Sequence, residues 1–486
     1  MDGQILNSQA KSVPRQPAMP WLVGAGVYVL LLVLGARLLN DPDTYWQVAV
    51  GRWIAEHGTV PTTDPFSFTM HGAHWIAFEW LSELAYAAAF AVGGWAGVVI
   101  LAAAAIALAF GLLTRLLLRD LAPTPALVFV LAALALAAPH MLARPHVLAL
   151  PVMVAWAGAL VRTMDQRSHP PYAALPLLVL WANLHGSVIL GLGLIGPAIL
   201  ESLLNEKQRS TWPRVILQWI PFVVLAVLAT CVTPYGAGSL LVPLKTFGLG
   251  DALKTIVEWR PQDFGHLDAF EILLLMGIFA LSRGITLPLV RALVVLGFLH
   301  FALAQARNAD LLAILAPLYL AAPLARQFTS RQDDAIAGLP ASARGLGLTA
   351  AAVAVIATGL ALARTISPDI RNTPQAAIAA AGIAKSGPVL NDYAFGGYLI
   401  YSGIAPFIDG RGELYGARFI NRYTQAVSLS DLPDFVKLLD QYGIRATLLS
   451  PHTPAVALLD RMPNWQRVYS DDVAVVHKRR EEIPAH

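Results

Sequence analysis

Long apolar runs dominate the first three quarters of the chain. They lie near 21–39, 96–116, 122–139, 147–162, 172–185, 187–204, 214–232, 269–282, 287–304, 309–325 and 345–364. Each is close to the ~20 residues that cross a bilayer core, and together they predict about 11 spanning helices. A further apolar stretch, 74–93, fits either a twelfth span or helices lying along the membrane surface. The pattern changes from 365 onward. Short apolar runs broken by Gly and Pro, at Gly387–Leu390, Ala405–Ile408, Ala446–Leu449 and Val473–Val476, predict strands, and Leu432–Tyr442 carries a helical pattern. The chain therefore divides into a polar N-terminal segment, 1–20, a membrane domain, 21–364, and a small α/β domain, 365–486. The segment 326–344 reads as a polar loop and 365–374 as a linker; no internal repeat is visible.

Composition agrees with this pattern. Of 486 residues, 56% are hydrophobic and 13% charged, the profile of a polytopic α-helical membrane protein. A net charge of +3 is too small to indicate a nucleic-acid partner. Cys231 is the only cysteine, so no intrachain disulfide can form. The first apolar run is long and no small-residue cleavage site follows it, which predicts a retained first helix rather than a cleaved signal peptide.

Charge sorts the loops. If 74–93 does not cross, Lys11/Arg15, Arg115/Arg119, Arg162/Arg167, Lys207/Arg209/Arg214, Arg283 and Arg326/Arg331/Arg344 all fall on one side, the cytoplasm by the positive-inside rule. If it crosses, these groups scatter over both faces. The non-crossing arrangement leaves a long outer loop, 40–95, and places the tail outside, facing the periplasm if the membrane is a bacterial inner membrane. Arg144, Lys245, Lys254, Arg260 and Arg307 then oppose the bias. Basic residues near a membrane site are candidates for an anionic headgroup.

The outer loop opens with Asp41-Pro42-Asp43-Thr44-Tyr45-Trp46, followed by a short amphipathic helix pattern to His57. Acidic residues at a membrane boundary are costly unless they do a job. The plain alternative is that both aspartates cap the surface helix.

This arrangement resembles the GT-C class of integral-membrane glycosyltransferases. Asp43-Thr44-Tyr45-Trp46-Gln47 resembles the Asp-x-aromatic-aromatic-His/Asn/Gln motif of oligosaccharyltransferase catalytic subunits, and Asp64-Pro65-Phe66-Ser67-Phe68 resembles their Trp-Asp-Pro-x-Ser stretch. Asn391–Ile400 is similar to the Trp-Trp-Asp-Tyr-Gly segment that opens their soluble domain, and Asp409-Gly410-Arg411 follows at a like spacing. The chain departs from that pattern in three ways. It has no Trp-Trp pair, two residues interrupt Asp-Tyr-Gly, and Arg411 stands where Asn is expected. The second outer loop, Pro139–His146, also lacks the family's acidic pair. The aminoarabinose and protein O-mannosyl transferase branches place their acid four residues before an aromatic, the offset of Asp41 from Tyr45. The two patterns thus nominate different aspartates.

The resemblance implies inverting sugar transfer from a polyprenyl-phosphate- or diphosphate-linked donor to an envelope glycan, lipid or protein acceptor on the extracytoplasmic face. Asp43 or Asp41 is then the candidate base, with Glu79 a second acid or a solvated helix-start charge. Arg307, Arg144 and His185 are candidates for the donor phosphate, against a plain ion pair of Arg307 with Asp310 or a tail carboxylate. Asp392, Tyr393 and Arg411 are candidates for acceptor contact, although Gly396-Gly397 and Asp409-Gly410 are also ordinary turn chemistry. A divalent cation, Mg or Mn, is an open expectation; His140 and His146 are its candidate ligands, and six residues apart in a loop is a weak metal spacing. The loop 233–268, with Lys245, Lys254, Glu258 and Arg260, reads as a flap or as plain surface. A transporter or polysaccharide-assembly scaffold is the non-catalytic alternative; it would favour broken-helix pairs in repeated halves. A ligase or polymerase on another membrane fold would carry its dominant loop late in the chain.

Overall fold

The computed structural model describes residues 18–480, apart from Lys207, Leu249, 251–258, 329–342 and 370–372. Expectations for Lys11, Arg15, Lys207, Lys254, Glu258 and Arg331 fall outside the described residues, as does most of the loop 326–344. Helices of ten or more residues are, in chain order, α1 (Met19–Val33), α2 (Asp43–His57), α3 (Trp80–Leu117), α4 (Pro123–Ala137), α5 (Pro145–Gln166), α6 (Leu175–Leu184), α7 (Ile195–Leu204), α8 (Trp212–Thr230), α9 (Gly238–Phe247), α10 (Ala269–Ser282), α11 (Leu289–Ala304), α12 (Ala309–Phe328), α13 (Ala343–Ala363), α14 (Gly412–Val427) and α15 (Leu432–Gln441).

The fold is an α-helical membrane domain carrying a small C-terminal α/β domain. Among the described residues, six helical stretches are long and apolar enough to cross a membrane, α3, α5 and α12 among them, and five apolar helices are shorter. The apolar runs expected at 172–185 and 187–204 are helical over Tyr172–Leu184 and Val188–Leu204. The chain leaves helical geometry at His185, and 187–204 is two helices meeting at Leu194.

The ambiguous stretch 74–93 is resolved into a turn and the first limb of α3. Gly93 and Gly94 interrupt α3, with Gly94 at φ +57°, a backbone region that glycine tolerates best. The chain doubles back so sharply there that a Cβ on Gly97 would strike the Ala89 carbonyl. The first limb packs on α2, where Gly51 lets the helices touch: a Cβ there would meet Glu83 backbone at 2.5 Å or less.

In the tail, β1 (Val389–Asn391), β2 (Ala446–Leu449), β3 (Trp465–Ser470) and β4 (Val475–Arg479) form one sheet in the order β1-β2-β4-β3. β1 and β2 are parallel; the other pairs are antiparallel. The expected strand at Ala405–Ile408 is not formed. Buried Asn391 holds that segment instead, accepting from Phe407 N at 2.7 Å and donating to the Ile408 carbonyl at 2.8 Å. Phe407 O and Pro406 O accept from the outer loop, at Thr69 Oγ1 (2.7 Å) and Phe68 N (3.3 Å). This segment is thus a seam between loop and tail.

Two further contacts lock that seam. Arg411 is fully buried and forms a fork with Asp409, Nε to Oδ1 at 2.8 Å and Nη2 to Oδ2 at 2.7 Å. Its Nη1 reaches Asp64 of the outer loop at 2.7 Å, and its guanidinium lies 4.6 Å from the Trp75 ring centre. Tyr45 meets Tyr398 and Tyr401 edge-on, at 5.1 and 5.5 Å between ring centres.

Candidate active site

Three helix ends meet beneath the tail domain. The chain emerging from α1 turns through Asp41 into α2. Asp41 is buried, 1% exposed at its side chain, and its Oδ1 accepts the Asp43 backbone N–H at 2.7 Å. Asp41 thus caps the entry to α2, and its other oxygen pairs with Arg144 Nε. Asp43 is the first residue of α2, with a side chain 26% exposed. Its Oδ1 accepts from Trp46 Nε1 at 3.1 Å, and its Oδ2 lies 3.4 Å from Arg144 Nη2. The two aspartates therefore divide the labour: one is locked in the wall, the other is held but reachable.

Arg144 sits at the N-terminus of α5, and its backbone is fixed on three sides. Ala143 N donates to the Leu38 carbonyl at 2.7 Å, Thr44 Oγ1 donates to the Ala143 carbonyl at 3.1 Å, and Tyr86 Oη donates to the Arg144 carbonyl at 2.9 Å. The guanidinium is aimed between both aspartates as a consequence.

Glu79 precedes α3, and its Oε1 lies 3.2 Å from His185 Nε2. His185 Nδ1 takes the Ser187 backbone N–H at 3.1 Å and faces Ser187 Oγ at 2.7 Å, while Trp181 Nε1 donates to that Oγ at 2.9 Å. Two donors on Nδ1 put the neutral ring's proton on Nε2, directed at Glu79. Burial raises the Glu79 carboxyl to about 8; Glu413 and Asp43 push it further up, while Arg307 and Arg144 pull it down. Glu79 is thus a neutral acid at pH 7, within electrostatic reach of both arginines. The same arginines act on His185.

Arg307 lies in the 3-10 turn Ala306–Asn308 between α11 and α12, with its guanidinium 4.4 Å from the Trp259 ring centre. Ala306 N donates to the Arg260 carbonyl at 2.9 Å, so part of the loop 233–268 packs beside Arg307. Lys245 and Arg260 are exposed.

The structure therefore brings Asp41, Asp43, Glu79, Arg144, His185 and Arg307 to one end of the helix bundle. The acceptor candidates separate. Arg411 is inside the seam with its donors engaged by Asp409 and Asp64, the geometry of a structural clamp. Asp392 caps a 3-10 turn by accepting from Ala394 N at 3.0 Å, and burial raises its carboxyl. Tyr393 is partly buried in that turn, against the tail core.

Two residues of the site were not expected from sequence. Glu413, at the start of α14, accepts from Trp75 Nε1 at 3.1 Å, and burial raises its carboxyl. Gly410 approaches so closely that a Cβ there would fall on the Asp43 carboxylate. Both belong to the run Asp409–Glu413, whose sequence signals are its Asp-Gly turn and the resemblance of Asp409-Gly410-Arg411 to the family motif.

A divalent cation does not fit this donor set. Among the described residues no three His, Cys, Asp or Glu side chains converge as metal ligands. The Arg144 guanidinium lies where a cation held by Asp41 and Asp43 would sit. His146 Nε2 faces the His140 carbonyl at 3.1 Å, and its ring is 6.2 Å from that of His185.

Bundle, bent outer-loop helices and seated tail together form a fold similar to that of solved GT-C membrane enzymes. One similar solved structure is the archaeal oligosaccharyltransferase AglB from Archaeoglobus fulgidus, in complex with an inhibitory peptide and a dolichol-phosphate. It is 12% identical, with 89% of this chain and 69% of that chain covered and a TM-score of 0.56. Another is ArnT from Cupriavidus metallidurans bound to undecaprenyl phosphate, 15% identical, with 95% and 98% covered and a TM-score of 0.51. At these identities the likeness establishes the fold. No protein-family model and no curated protein matches the sequence.

Proposed function

We propose that the protein is an inverting membrane glycosyltransferase. In this reading it moves a sugar from a polyprenyl-phosphate- or diphosphate-linked donor to an envelope glycan, lipid or protein acceptor. The observation that carries the reading is Asp43: a carboxylate partly exposed at the membrane boundary, held by Trp46 and Arg144, with Glu79, His185 and Arg307 around it. The AglB and ArnT structures contain polyprenyl phosphates, which supports that lipid class as the donor.

The step is one displacement. The acceptor nucleophile attacks the anomeric carbon, and its proton passes to the Asp43 carboxylate. The bond from that carbon to the phosphate oxygen breaks, and the electron pair leaves on the polyprenyl phosphate. Arg307 and Arg144 stabilise the phosphate charge as it grows. Glu79, as a neutral acid, adds no competing negative charge and can donate to a phosphate oxygen. Asp41 keeps Arg144 in place. The site end faces away from the cytoplasm in this reading, because Arg115, Arg119, Arg162, Arg167 and Arg283 lie toward the other end of the helices.

Arg144 stands in the position a cation would take, so transfer in this reading needs no divalent metal. The test is transfer of a radiolabelled sugar from a polyprenyl-phosphate donor by the purified protein in liposomes, with and without EDTA. The expected result is product formation at the same rate in both. Transfer abolished by EDTA and restored by Mg or Mn would overturn the role given to Arg144; no transfer from any lipid-linked sugar would overturn the reading itself.

A further inference from the structure

A second basic site lies at the opposite end of the bundle. α5 has 22 residues, about 33 Å at the usual helical rise, close to the ~30 Å of a bilayer core. Arg144 caps its first turn. Its last turns, with the ends of α3 and α12, enclose a cavity of about 440 Å³.

Three arginines from three chain segments border this cavity: Arg119 after α3, Arg162 on α5 and Arg326 on α12. Its inner wall is apolar, formed by Leu116, Val161 and Leu318 among others. Gly158 makes the approach of α3 and α5 possible, since a Cβ there would meet Leu116 Cδ1 at 2.5 Å.

Two acids, Asp120 and Asp165, border the cavity beside the three arginines, which leaves one positive charge in excess. Asp165 is already engaged by buried Arg291 at 2.6 Å, with Arg326 at 3.7 Å; Arg291 also pairs with Glu201 at 2.9 Å. Arg162 Nε donates to neutral Gln166 Oε1 at 3.2 Å. Arg119 feels the like charges of Arg162 and Arg115, with Asp120 opposing them. Convergent like charges are unfavourable unless an anion bridges them.

We propose that this cavity binds the phosphate of an anionic membrane lipid in the leaflet opposite the candidate active site. The arginines take the phosphate oxygens, and the apolar wall takes the start of the acyl chains. Basic pockets between spanning helices recognise such headgroups. Phosphate is the shared chemistry, and the apolar wall selects the lipid over the free ion.

The test is thermal stability of the full-length protein in mild detergent, titrated with phosphatidylglycerol, with phosphatidylcholine, or with inorganic phosphate. The wild type should show a saturable rise with phosphatidylglycerol alone. Arg119→Ala/Arg162→Ala should move the midpoint roughly ten- to thirtyfold higher, and Arg119→Lys/Arg162→Lys should stay near wild type. Both arginines are exposed, so the variants should fold, and polyprenyl-phosphate binding at the other end should be unchanged. An equal midpoint in the alanine variant, or an equal rise with phosphatidylcholine, would overturn the site. A full rise with inorganic phosphate alone would overturn the lipid assignment.

Discussion

Asp41 and Asp43 are two residues apart, yet their environments separate them. Asp41 spends one oxygen on the Asp43 N–H and the other on Arg144; the Asp43 side chain stays 26% exposed. Sequence alone nominated both, because an N-cap and a base use the same residue type, and only burial distinguishes them. Glu79 makes the same point through its charge state. Its carboxyl sits at about 8 in the fold against an ordinary 4.5, so between those values the folded state holds a proton that the unfolded chain has lost. Stability contributed by neutral Glu79 is therefore full at low pH and is lost as pH rises across that window. Glu79→Gln is neutral throughout. The wild type should lose more melting temperature between pH 6 and pH 9 than Glu79→Gln does. Parallel losses in the two proteins would show that Glu79 does not carry the proton.

At the scale of elements, the outer loop and the tail form one unit. Arg411 joins them with both its carboxylate partners buried. Replacing it by Met leaves Asp409 and Asp64 buried without a counter-charge, a change that costs about 3–5 kcal/mol. Denaturant or detergent titration of Arg411→Met should show a loss of that size, with early proteolysis at the seam; a loss under 1 kcal/mol would contradict the clamp. The sequence could not reveal this pair, because Arg411 and Asp64 are 347 residues apart. Its Asp-Gly turn was legible, its burial was not. The helical period placed α15 to within one residue, and Ala446–Leu449 was legible as a strand from its continuous apolar run. β3 escaped notice, since Trp465–Ser470 is largely polar and exposed. Ala405–Ile408 misled in the opposite sense: its apolar character serves a seam held by Asn391, not a sheet.

At the scale of the whole molecule, charge placement carries the account. The basic residues that break the positive-inside pattern, Arg144 and Arg307, gather at the end where Asp41, Asp43, Glu79 and His185 lie. Those that follow it, Arg119, Arg162 and Arg326, line the cavity at the other end. The first group is legible in the sequence because it is out of place; the second is not, because it lies where a membrane protein ordinarily carries basic residues. Hydropathy gave the bundle but not the doubling back of α3, which depends on two glycines.

The central claim is that Asp43, not Asp41, takes the acceptor's proton. The most direct measurement is the transfer rate of Asp43→Asn beside Asp41→Asn, using a radiolabelled polyprenyl-phosphate sugar under single-turnover conditions. Asn keeps the shape of either side chain while removing the base. The account predicts that Asp43→Asn inserts and folds like the wild type yet loses ~10²–10⁴ in rate, the usual scale for general-base catalysis, with a smaller loss for Asp41→Asn through misplaced Arg144. Near-normal transfer by Asp43→Asn, or the larger loss in Asp41→Asn, would contradict it.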